Sequence, residues 1–163
     1  MSGFRPTQAL ATLARHEVRF VVVGGVAAAA HGSPSLTGDL DICYARAPED
    51  LERLAEALRT LHARLRGADA DVPFVLDART LAAGDHFTFA TDAGDLDCLG
   101  IPAGTKGYEE LVANAVEVDL DGVHVHMAAI GDLIRMKRAA GRAKDRAELA
   151  ILGALRDELE DRE

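Results

Sequence analysis

Cysteine is scarce in this chain. Of 163 residues only Cys43 and Cys98 carry a thiol, and neither belongs to a CxxC motif or a Cys/His cluster. That excludes a disulfide framework and a structural zinc site; both cysteines lie in strand-like apolar runs and read as small core residues. Long apolar stretches are missing too. The longest, residues 20–30, is interrupted by Gly24 and Gly25 and falls far short of the roughly 20 residues a membrane-spanning helix needs. Residues 1–12 hold one Arg and no continuous apolar core, unlike a secretory signal, so a cytoplasmic protein is expected. Positive charge is in deficit, with 18 Lys and Arg against 27 Asp and Glu and a net charge of −9. A polyanion is therefore repelled unless a local basic patch receives it, and residues 135–146 offer the one candidate. No internal repeat or low-complexity linker is visible. The expectation is a single domain over 1–163, with a core over about 18–128 and C-terminal helices over about 130–160.

What is present alternates between strand and helix patterns. Thr7 can cap a short helix, Val18 to Val23 reads as a buried strand, and Gly24-Gly25 ends it before an alanine-rich helical run from Val26 to His31. From Asp39 to Tyr44 a period of two places Asp39, Asp41 and Cys43 on one face and Leu40, Ile42 and Tyr44 on the other. Pro48-Glu49-Asp50 opens a helix whose stripe of Leu51, Leu54, Leu58, Leu61 and Leu65 predicts a run ending near Gly67. A short helix is predicted at 78–83, a hairpin from His86–Thr91 and Asp95–Leu99, and helical turns at Tyr108–Asn114. A second hairpin is signalled by Asp121-Gly122 between alternating valines. The tail reads as two helices, about 131–140 and 143–159, parted at Gly141.

One constellation carries chemistry: a strand, two glycines, a helix start, a loop, then Asp-x-Asp on the next strand. Free N–H groups at a helix start behind glycines favour phosphate, which assigns Gly24 and Gly25 to a triphosphate. Two aspartates on one strand face suit a hard cation, Mg²⁺ or Mn²⁺, which completes its shell with water and substrate phosphates. Two-metal nucleotidyl transfer asks for a third carboxylate on a neighbouring strand, and Asp97 is the candidate, ahead of Asp95 nearer the turn.

The segments Val21-Val22-Val23-Gly24-Gly25-Val26-Ala27, His31-Gly32-Ser33 and Thr37-Gly38-Asp39-Leu40-Asp41-Ile42 resemble the nucleotidyltransferase core of the AbiEii-type toxin group within the DNA polymerase β superfamily. The run from Asp132 to Asp145 is similar to that group's second signature. The resemblance implies an α/β (α+β) fold, a mixed β-sheet flanked by helices with a helical C-terminus. It also implies a nucleoside triphosphate as substrate, Asp39, Asp41 and Asp97 on Mg²⁺, and Lys137 and Lys144 near the phosphates, with Asp145 orienting a lysine or the adenine-side contacts. Many superfamily members have Gly-Ser where this chain has Gly24-Gly25, so a serine contact to phosphate is missing. Transfer RNA or a cognate antitoxin enter as candidate partners, and the acceptor stays open between an RNA end, a small molecule and a protein hydroxyl.

Blander readings compete. Lys137, Arg142 and Lys144 also fit a solvated helix face, and His124 and His126 fit a water-facing strand better than a metal site. A dinucleotide-binding fold needs glycines beyond Gly25 that are absent. A dehalogenase-like Asp nucleophile needs Asp-x-Asp after the first strand, with a Thr where Cys43 stands. The remaining rival is a catalytically inactive interaction module on the same scaffold, against which the three retained carboxylates argue, since unpaired like charges repel.

Overall fold

The computed structural model describes residues 3–67, 73–141 and 145–162. In chain order the elements are α1 (Pro6–Arg15), β1 (Phe20–Val23), α2 (Gly24–Ala30), β2 (Asp39–Tyr44), α3 (Pro48–Thr60), β3 (Arg64–Leu65) and α4 (Ala78–Ala82). They continue with β4 (His86–Thr91), β5 (Gly94–Leu99), α5 (Tyr108–Asn114), β6 (Val116–Leu120), β7 (Val123–Met127), α6 (Ile130–Ala140) and α7 (Asp145–Asp161). The strands form one seven-stranded sheet in the order β3-β4-β5-β2-β1-β7-β6. It is mixed: β1 is parallel to β7 and antiparallel to β2, while β2 is parallel to β5.

The central strands are held by burial. All four residues of β1 are buried, and Leu40, Ile42 and Tyr44 of β2 are at most 1% exposed. Their chain neighbours Asp39 and Asp41 are only partly covered and occupy the opposite face. Helix α3 starts at Pro48, carries Glu49 and Asp50 in its first turn, and buries Leu51, Leu54, Ala55 and Leu58. Asp50 is buried beneath Arg19, which donates to it from Nε at 2.9 Å and from its terminal nitrogen at 2.6 Å; the guanidinium holds this carboxyl below its usual range.

Two boundaries correct the sequence reading. The helix opened by Pro48 stops at Thr60, not near Gly67: His62 takes a left-handed φ of 53°, and Arg64 and Leu65 pair with Ala90 and Phe89 as an edge strand. An apolar residue at the next helical position is equally at home on a strand, so the leucine stripe alone overran the true end. Helix α2 begins at the glycines themselves rather than at Val26. By contrast, the Asp121-Gly122 turn has two positive φ values, 52° and 85°, as a two-residue hairpin requires. Gly141 caps α6 in the left-handed conformation at φ 65°. Cys43 and Cys98 are both fully buried free thiols. No helix among the described residues is long and apolar enough to cross a membrane.

Candidate active site

The register of the sheet brings the acidic residues together. Asp41 is the direct cross-strand partner of Asp97, Asp39 is that of Asp95, and Val23, one residue before Gly24, lies opposite Asp41. One carboxylate oxygen from each of Asp39, Asp41 and Asp97 lies within 4.8 Å of the others. Of the two candidates for the third carboxylate, Asp97 therefore joins the cluster. Asp95, one pleat further toward the turn, instead meets Arg66 at 3.4 Å.

The electrostatics of the cluster are unfavourable as they stand. Burial first, then the charges of Asp39 and Asp97, push the Asp41 carboxyl up to about 7, and Lys137 opposes them. Its Oδ1 is buried with no hydrogen-bond partner among the described residues. Asp97 is also raised, by burial foremost and by Asp39, while Arg66 works in the other direction. Arg66 reaches Asp97 at 2.9 Å, and its backbone N–H donates to the Thr88 carbonyl, which fixes the chain just past β3. An array of three carboxylates with an orphaned buried oxygen has the donor set of a hard-cation site, so the residues fit Mg²⁺ or Mn²⁺.

The glycines make room for this cluster. Gly24 has a φ of +66°, and a Cβ there would sit 2.1 Å from Asp41 Oδ2; a Cβ at Gly25 would sit 2.7 Å from Thr37 Oγ1. Thr37 in turn donates to the Asp39 carbonyl at 3.1 Å, tying the loop over residues 33–38 to the first turn of the site. Gly24 thus borders the Asp41 carboxylate directly, and Gly25 borders the Thr37 side chain beside it, which the glycine pair alone did not foretell.

On the other wall, α6 contributes Lys137, whose Nζ bridges to the buried Asp145 at 3.1 Å. Lysine and aspartate from the second signature therefore meet as a pair beside the aspartates of the first. Lys144, expected near the phosphates, lies outside the described residues, as does Arg142. Within the basic stretch Arg135 bonds Glu110 at 2.6 Å and approaches Asp132 at 3.2 Å, while Arg138 and Arg146 are exposed. His124 and His126 face Asp119 and Glu117 at 3.7 and 3.5 Å across the β6–β7 hairpin, away from the cluster.

A cleft in two parts opens beside the carboxylates. A polar part of about 690 Å³ is lined by all three aspartates, the loop from Ser35 to Gly38, Lys137 and Asp145. An apolar part of about 390 Å³ shares Gly24, Gly25, Asp41, Lys137 and Glu148 with it but does not reach Asp97. Arg66 and Glu148 were not singled out from sequence. For Arg66 no pattern was available, because a two-residue strand has no readable period; Glu148 stands three residues after Asp145 on α7 and shares its side of the helix, a signal that was there to use.

No family model matches this chain, and no curated protein sequence does. Solved structures do match. The chain aligns with the lincomycin-bound lincosamide antibiotic adenylyltransferase LnuA at a TM-score of 0.61 and 10% identity, over 92% of this chain and 95% of that one. It aligns with ANT(2'')-Ia in complex with adenylyl-2''-tobramycin at 0.57 and 16% identity, over 96% and 95%. A third match, at 0.58 and 15% identity over 98% and 97%, is a candidate nucleotidyltransferase, TM1012, from Thermotoga maritima. At such low identities the likeness establishes the fold, the mixed sheet flanked by helices that these proteins share.

Proposed function

We propose that this protein is a nucleotidyltransferase that holds Mg²⁺ or Mn²⁺ on Asp39, Asp41 and Asp97 and moves a nucleoside monophosphate from a nucleoside triphosphate to an acceptor hydroxyl. The observation that carries this reading is the meeting of three carboxylates from two adjacent strands within 4.8 Å, at the mouth of a cleft lined by Gly24, Gly25 and Lys137. The fold shared with two antibiotic adenylyltransferases supports it. So does the orphaned Asp41 oxygen, since a bare cluster of like charges is a cost that a bound cation relieves.

A divalent cation bound there supplies charge neutralisation of the phosphates and acidifies the acceptor hydroxyl. The chain's own residues orient the reactants. Gly24 and Gly25 let the triphosphate approach the backbone, and Lys137, held by Asp145, directs its ammonium into the polar part of the cleft. Asp97, on the outer side of the cluster toward β4, takes the acceptor's proton as the acceptor oxygen bonds to the α-phosphorus and the bond to the departing pyrophosphate breaks. Of the acceptor classes, a small-molecule hydroxyl is favoured over an RNA end, because the fold is shared with two antibiotic adenylyltransferases and a net charge of −9 repels a phosphate backbone. The kinship with AbiEii-type toxins, and with it an antitoxin partner, rests on the sequence resemblance. The cytoplasm, where nucleoside triphosphates are abundant, is the compartment this chemistry suits.

One observation favours a second reading. Arg66 on Asp97 already gives one carboxylate a cation of the protein's own, as an inactive interaction module would need. The deciding experiment incubates the protein with each labelled triphosphate, Mg²⁺ and, separately, transfer RNA and a panel of polyhydroxylated small molecules. Label entering an acceptor with wild type but not with Asp41→Asn supports the enzyme. Absence of transfer together with absence of any Mg²⁺ or Mn²⁺ binding establishes the module instead.

A further inference from the structure

The apolar part of the cleft is walled by Leu99, Ile101, Pro102, Leu133, Met136 and Leu152, a surface suited to the faces of a flat ring. Its volume of about 390 Å³ is in the range of small-molecule sites. Glu148 lines both parts of the cleft, and its Oε2 is buried with no hydrogen-bond partner among the described residues. A buried carboxylate oxygen without a donor is costly, and an N–H group arriving with a ligand removes that cost. The soft terminal torsion of a glutamate exchanges its two oxygens, so a donor in the cleft can meet either one.

We infer that this apolar part receives the base of the nucleoside triphosphate and that Glu148 selects the base by accepting a hydrogen bond from an amino group on its edge. The inference rests on the nucleotidyltransferase reading and names what that reading leaves open. The base is favoured over the acceptor by position: Asp97, which the acceptor must meet, does not line this part, whereas Gly24, Gly25 and Lys137, which serve the triphosphate, line both parts and join them. Adenine, guanine and cytosine carry the required amino group. Uracil instead presents two carbonyl oxygens flanking its one N–H, and these repel a carboxylate.

Calorimetry with Ca²⁺ in place of Mg²⁺ measures binding without relying on turnover. ATP is compared with purine riboside triphosphate, which lacks the amino group, GTP with inosine triphosphate for the same reason, and UTP is included. In wild type the tighter of ATP and GTP should bind at least about 10-fold better than its amino-free analogue, as a hydrogen bond to a charged group implies. In Glu148→Leu, which has no acceptor, that ratio should fall toward one. The ligand comparison needs no variant, so a folding defect cannot mimic it. Equal affinity for a base with and without its amino group, an unchanged ratio in Glu148→Leu, or UTP binding best overturns the role of Glu148 while leaving nucleotide binding intact. Failure of wild type to bind any triphosphate overturns both it and the reading beneath it.

Discussion

Asp41 is the residue on which most of the electrostatics converge. Its folded value of about 7 lies above the ordinary carboxylate value near 4, so the fold disfavours the ionised form. The sign follows directly: in the metal-free protein the contribution of Asp41 to stability is intact below about pH 4 and is lost as pH rises through 7. Thermal melts in chelator should show this decline between about pH 4 and 7, and Asp41→Asn should flatten it and melt higher at pH 8. The same variant should lose transfer by on the order of 10³-fold, since a metal ligand supports several kcal/mol of transition-state stabilisation. Gly24 is coupled to it. A methyl group at Gly24 would meet Asp41 Oδ2 at 2.1 Å in a backbone conformation that disfavours side chains. Gly24→Ala should therefore weaken Mn²⁺ binding in a protein whose far-ultraviolet spectrum is unchanged. Arg66 acts oppositely. Its guanidinium competes for Asp97, so Arg66→Gln should tighten Mn²⁺ binding several-fold by calorimetry, and looser binding would show instead that the arginine assists the site.

At the scale of elements, the legible parts of the sequence were those where two signals agreed. The alternation of Asp39 to Tyr44 and its polar start gave β2 its bounds, and the Asp-Gly turn gave the β6–β7 hairpin. α3 overran because Leu61 remains buried after the helix ends, and burial, not helical geometry, is what the leucine stripe records. Position in the strand, away from the turn, already favoured Asp97 over Asp95, but the register that sets Asp97 opposite Asp41 joins distant strands, and no local pattern encodes it. The hydrophobic seat of the sheet should be separable from its chemistry. Leu54 is fully buried in α3 and is not among the residues lining the cleft. Leu54→Ala should cost about 2–5 kcal/mol in urea unfolding while the folded variant keeps wild-type Mn²⁺ affinity.

For the whole molecule, an overall charge of −9 surrounds a site that the proposed reaction requires to accept a tetra-anionic nucleotide. Lys137 of the second signature, paired with Asp145, lines the cleft, so the field at the site differs from that of the surface. Cation binding and proton binding compete for the same carboxylates, which couples metal affinity to pH across the value of Asp41. The most direct measurement is therefore a Mn²⁺ titration of wild type, Asp41→Asn and Asp97→Asn at pH 6 and pH 8, with a nucleoside triphosphate present. Binding by wild type that strengthens from pH 6 to pH 8 and falls at least about 10-fold in each variant is the result expected of one shared cation site. Equal affinity in all three proteins, or no binding by wild type at pH 8, would contradict it.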